Sequence, residues 1–195
     1  YRGKYRASGS FPHVLLFLSF FPEIVEGPFG RFDRLSGQLT EGHEFDAKCC
    51  EQAAELIIWG MFKKIVIADR AAALVAEVFS NHAQYEGWTV VFAAALYTLQ
   101  IYADFSGMID VSRGSAELFG VRLDANFERP FFSHNVGEFW RRWHITLGAW
   151  LRDYVFFPAS LSQRSVKLRT WSRAHLRPFF ASLLPMARAL LLVWL

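Results

Sequence analysis

Cysteine is nearly absent from this chain of 195 residues, and the two that occur, Cys49 and Cys50, are neighbours. Adjacent residues reach disulfide geometry only with strain, so both are expected to be free thiols. No CxxC pair and no Cys/His cluster is present, which leaves no expected metal site. Net charge is scarce too: 21 Lys and Arg stand against 18 Asp and Glu, a balance of +3. There is no internal repeat, no low-complexity tract and no cleavable signal pattern. The chain starts at Tyr1 and stops at Leu195 inside an apolar run. Both ends read as cut, and a piece of a larger protein is expected.

Apolar and aromatic side chains are abundant: 53% of the residues are hydrophobic and 17% aromatic, with 20 phenylalanines. That is rich for a soluble domain. The basic residues are unevenly placed. Arg164, Lys167, Arg169, Arg173 and Arg177 form a run with no acid among them. Beside apolar segments it reads as a cytoplasmic loop rather than a nucleic-acid surface, and no nucleic-acid partner is expected.

Residues 1–10 are polar and read as a loop. Residues 11–29 are apolar but carry Pro12, Pro22 and Pro28; proline breaks helices, so a short or re-entrant helix ending near Pro22 is predicted. Residues 30–47 read as a loop. Residues 48–79 follow a helical pattern interrupted by Lys63 and Lys64. The interruption suits an interfacial or protein-buried helix, with a turn or polar edge at Asp69 and Arg70. Trp88–Ala103 is free of charge and carries the best membrane-span signal, with Trp88 where interfacial tryptophans are common. Asp104 follows. Either it lies inside the span, where an ionisable residue marks function, or the span ends near Ala103. Residues 179–195 begin another apolar helix.

The stretch FWRRWHITLGAWLRDYVFFP, residues 139–158, carries three tryptophans, three arginines and His144. Placed on one helix over 135–155, Trp140, Trp143, His144, Leu147, Leu151, Tyr154 and Val155 share a face. Glu138, Arg141, Arg142, Arg152 and Asp153 occupy the other. Asn135 and Glu138 form a capping-box pattern, and Glu138 and Arg142 are spaced for an i,i+4 pair. The result is an amphipathic helix for a membrane interface or for the lid of an apolar cavity. A histidine on an apolar face is either a hydrogen-bonded core residue or a proton carrier. An apolar setting would keep it neutral, as a general base requires.

These residues resemble the central signature of the membrane-bound O-acyltransferase family, in its bacterial branch of alginate O-acetylation and D-alanyl transfer to teichoic acid. Ser19–Leu35, SFFPEIVEGPFGRFDRL, resembles the family's FFP…GP segment, and Gln100–Phe131 resembles its YADFSG region. The resemblance covers almost the whole chain. It implies an all-α, multipass protein of the cell (inner) membrane with a funnel-shaped helical core. Residues 1–195 would be the central part of that domain, without the N-terminal spans and the later Trp-His-Gly segment; alone, they would be inactive.

The implied function is O-acyl transfer, foremost O-acetylation of an exported polysaccharide such as alginate, from acetyl-CoA or an acyl-carrier protein thioester. No cofactor would be resident. Partners would be membrane lipid, the acyl donor and, outside the membrane, an acetyltransferase. His144 matches one of the family's two marker histidines and is the catalytic candidate within this chain, while the other, in the later Trp-His-Gly segment, is the one usually called the active-site histidine. Asp104, Trp140, Trp143, Arg152 and Asp153 are candidates for the substrate channel. D-alanyl transfer, a transporter-like protein whose pathway Asp104 and His144 line, and a soluble aromatic-rich binding domain are the competing readings.

Overall fold

Asp46 opens the longest helical stretch: its carboxylate accepts from the Lys48 amide at 2.9 Å and caps the first turn. In the computed structural model, which describes residues 10–161 together with Val166, Lys167 and Thr170, the chain forms two units, residues 1–127 and 128–195. Every regular element among the described residues is helical, consistent with an all-α fold.

In the first unit, α1 is Phe11–Leu18, α2 Phe21–Val25 and α3 Phe32–Thr40. The predicted helix near Pro22 is corrected to two. Pro12 and Pro22 each sit in a first turn, where the missing N–H costs nothing, so Pro22 starts a helix instead of ending one. Residues 30–47, read as a loop, contain α3. Its apolar stripe is thin, but Leu35 is buried and Leu39 packs against a core of Phe20, Leu35, Ala116, Val121 and Leu123.

The predicted helix over 48–79 is present as α4, Ala47–Met61, a π-helical segment Phe62–Ala68, and α5, Asp69–Ser80, joined without a break. No turn occurs at Asp69 and Arg70. α6, Trp88–Glu117, has 30 residues, about 45 Å at 1.5 Å per residue. It is long and apolar enough to cross a membrane. The helix runs through Asp104, Ser106 and Asp110, so it does not stop near Ala103.

α4 and the π segment pack on α6 through small residues. A β-carbon at Gly60 would lie 2.5 Å from the Gly107 carbonyl oxygen, and one at Gly107 would lie 2.8 Å from that of Gly60. Seven positions along each helix the same closeness recurs, where a β-carbon at Gly114 would lie 2.7 Å from the Ala53 oxygen. Such contacts let helix backbones meet where lipid removes the usual hydrophobic drive.

The second unit holds a 3₁₀ turn Pro130–Phe132, α7 Val136–Arg142, α8 Ile145–Trp150, a second π segment Leu151–Phe156 and α9 Phe157–Ser160. The single helix expected over 135–155 is broken. Trp143 is extended (φ −104°, ψ 125°) and His144 is left-handed (φ 46°, ψ 56°). The Arg142 carbonyl accepts from the Glu128 amide at 3.0 Å, a bond that replaces the helical one it would have made four residues on. All but Ser10 of the expected loop at residues 1–10, most of the basic run (Arg164, Arg169, Arg173, Arg177) and the expected helix at 179–195 lie outside the described residues.

Candidate functional site

α7 is capped as its sequence indicates. Asn135 Oδ1 accepts from the Glu138 amide at 2.8 Å. The Glu138 carboxylate reaches back to the His134 amide at 2.9 Å, one residue before the cap, and pairs with Arg142 at 2.6 Å. The His134 N–H first, then the Arg142 charge, hold the Glu138 carboxyl below its ordinary range.

This braced helix ends where His144 begins. Trp143 stacks on Phe139 (centroids 5.5 Å, 19° between planes) and meets Phe131 edge-on at 6.4 Å. Trp140 sets its edge on Phe139 at 5.4 Å. The two tryptophans therefore belong to one aromatic cluster. The expected shared helical face with His144 and Leu147 is not formed, because the chain turns at Trp143.

His144 is the residue before α8, and its carbonyl accepts the Gly148 amide at 3.0 Å. A left-handed backbone costs a non-glycine residue about 1–2 kcal/mol. Such strain concentrates at functional sites; Arg129 is the other described non-glycine residue to carry it. The ring is half-buried, and burial lowers its pKa from the ordinary 6.5. His144 is therefore neutral at physiological pH and able to accept a proton.

Arg152 and Asp153, placed together on the charged face by the sequence, pair with each other at 3.1 Å. Arg152 is the more exposed of the two. Asp104 lies in the first unit, on α6, 2.7 Å from Lys64 Nζ. Lys64 also reaches Asp69 at 3.0 Å.

Sequence reasoning treated Lys63 and Lys64 as a break in apolar character and missed their role. Lys63 is 8% exposed, and its Nζ lies 2.6 Å from Asp110 and 3.0 Å from Ser106 Oγ. Arg113 approaches the other Asp110 oxygen at 3.5 Å. An α-helix turns consecutive side chains well apart. The wider π turn rotates less per residue, which lets both lysines address α6. The available signal was complementarity: two lysines in one apolar helix and two aspartates in another.

Cys49 and Cys50 are free thiols. Among the described residues, no three His, Cys, Asp or Glu side chains are grouped to hold a metal.

Comparison with known proteins agrees with the motifs. The chain is similar to the probable alginate O-acetylase AlgI of Pseudomonas syringae pv. tomato, 32% identical over 197 residues, covering all of this chain and 37% of that protein. It is similar to the peptidoglycan O-acetyltransferase of Helicobacter pylori, 34% identical over 145 residues, 73% of this chain and 28% of that protein. The teichoic acid D-alanyltransferase of Bacillus subtilis is 29% identical over 151 residues, 73% of this chain and 37% of that one. The chain thus spans between 28% and 37% of the length of these three relatives. The family profile described as MBOAT, membrane-bound O-acyltransferase, matches residues 6–182, and on that match the chain belongs to the membrane-bound O-acyltransferase family.

Proposed function

We propose that this chain is part of a membrane enzyme that O-acetylates a cell-envelope polysaccharide, with His144 as the proton acceptor. The observation that carries the reading is the family match over residues 6–182, which includes His144. The half-buried, neutral imidazole supports the assigned role. The acceptor hydroxyl gives its proton to the ring as its oxygen attacks the thioester carbonyl. The carbon–sulfur bond then breaks, and the departing thiolate takes the proton back. Either acetyl-CoA or an acyl-carrier protein thioester supplies this chemistry. An acetyltransferase outside the membrane is the proposed partner for delivery to the polymer.

The reading includes a multipass protein of the cell membrane. α6 is one crossing, and the helix from α4 through α5 is a second. The second helix exposes Ile58, Trp59, Ile65, Val66 and Leu74 while turning Lys63 and Lys64 onto α6. Intramembrane charges are tolerated when paired in this way. The channel roles of Asp104, Trp140, Trp143, Arg152 and Asp153 belong to the same proposal, as does a cytoplasmic placement of the basic run.

The test uses the intact protein in membranes with a radiolabelled acetyl donor. His144→Ala should lower transfer by at least about 100-fold, and His144→Gln should not restore it. His144→Gly keeps the left-handed backbone without strain and should be as inactive as the alanine variant. Near-normal transfer by His144→Gln would make the residue a hydrogen-bonding support and sink its assignment. Transfer of D-alanine in place of acetyl would select the other chemistry found among the relatives.

A further inference from the structure

α3 lies between two concavities on the first unit, neither of which contains a residue given a role in acyl transfer above. Along its N-terminal half lies a cleft of about 50 Å³ rimmed by Arg31, Arg34 and Arg122, with Glu23 at its base. That is room for about four waters, the bulk of one phosphate group. Along its C-terminal half lies a half-open apolar groove of about 360 Å³, walled by Leu16, Phe21, Leu39 and Phe119, within the size range of ligand pockets. Gln38 lines both. It binds the segment between them through the Arg122 amide, which donates to Gln38 Oε1 at 2.9 Å.

The geometry points to a binding site for an anionic phospholipid, with its phosphate in the arginine-rimmed cleft and an acyl chain in the groove. The inference rests on the membrane location of the chain and not on its chemistry.

Charge and shape both favour this occupant. Three guanidiniums arise from separate places, before α3, within it and after α6. Asp124 engages Arg34 at 2.9 Å, which fixes that fork at the rim. Arginine suits phosphate through its planar array of donors. Two acids line the cleft with the three arginines: Asp124 is paired with Arg34, and Glu23 is muted by the site. Its Oε1 is enclosed without a hydrogen-bond partner. Burial raises its carboxyl to about 7, against the opposing pull of the Gly30 amide. Protonated, it adds no negative charge to the cleft. Gly30 makes room for this arrangement, because a β-carbon there would overlap the Glu23 carboxylate. On the groove side, Phe21 and Phe119 meet edge-to-face at 5.8 Å and both stay exposed, an open apolar wall.

Native mass spectrometry of the intact protein in detergent would count bound phosphatidylglycerol against zwitterionic phosphatidylcholine. The variants are Arg31→Gln with Arg122→Gln, which leaves the Arg34–Asp124 pair in place, and Ser19→Trp, which fills the groove. Thermal melting confirms that each variant folds. We expect a preference for phosphatidylglycerol, weakened about 30-fold by the double arginine change and reduced by Ser19→Trp. Retention of full affinity by the arginine variant would overturn the site. Displacement by excess inorganic phosphate, with no effect of Ser19→Trp, would mean a free phosphate site and overturn the lipid occupant. Measured on His144→Ala protein, lipid binding should be unchanged, so its outcome is read separately from acyl transfer.

Discussion

Removing the Asp110 carboxylate should be the most damaging loss of a charge where the π segment packs on α6. Lys63 is buried, with Nζ 2.6 Å from Asp110, and Arg113 stands 3.5 Å from the other oxygen of the same carboxylate. Asp110→Asn leaves two cations facing a neutral amide. Breaking a buried pair from one side costs about 3–5 kcal/mol; Arg113 is partly exposed and Lys63 keeps Ser106, so the lower end of that range applies. Lys63→Met is milder, because Asp110 keeps Arg113; about 2 kcal/mol is expected. Lys63→Met with Asp110→Leu removes both charges and should recover most of the loss, since an apolar replacement of a buried pair is often neutral. Denaturation of the intact protein from mixed micelles, followed by tryptophan fluorescence, gives the three differences. A double variant no more stable than Asp110→Asn alone would refute the reasoning, as would an Asp110→Asn cost below about 0.5 kcal/mol.

Gly60→Leu should abolish folding or drive α4 from α6, because the Gly107 carbonyl leaves no space for a β-carbon; a normal melting profile would show that the helices do not pack this closely. Acyl transfer should rise with pH through a midpoint below about 6.5 and then level off, since burial favours the neutral, basic form of His144; a midpoint above that value would contradict burial as the cause. For Glu23 the folded state holds its proton more tightly than the unfolded state, whose pKa lies near 4.5 against about 7. Stability should therefore decline as pH rises from about 4.5 to 7, and Glu23→Gln should flatten that slope in melting temperatures taken across the range.

Local signals carried the long helices and their caps. Asn135 and Glu138 announced the start of α7, and the charge-free run after Trp88 announced α6. Elements were misplaced where one residue has two structural meanings. Pro22 can end a helix or occupy its first turn, and the choice depends on how Phe20 enters the core. α3 was invisible because its buried face comes down to Leu35 and Leu39, which find their partners in Val121 and Leu123 far along the chain.

The site shows the same division more sharply. The capping of the helix before His144 was legible, but helical periodicity placed His144 on a face with Trp140 and Trp143 that does not form. A 3.6-residue pattern assumes that every carbonyl finds its helical partner. The Arg142 carbonyl finds Glu128 instead, and no periodicity within 135–155 contains that residue. The left-handed turn then points the ring by backbone conformation rather than by helix phase. Lys63 and Asp110 repeat the lesson from the other side. Each alone disturbs an apolar pattern, and only the π segment and the Gly60–Gly107 contact bring them within 2.6 Å. If that contact sets their approach, Gly107→Ala should lengthen the pair and weaken the stability coupling between Lys63 and Asp110. A pure electrostatic attraction acting through flexible side chains would leave the coupling unchanged.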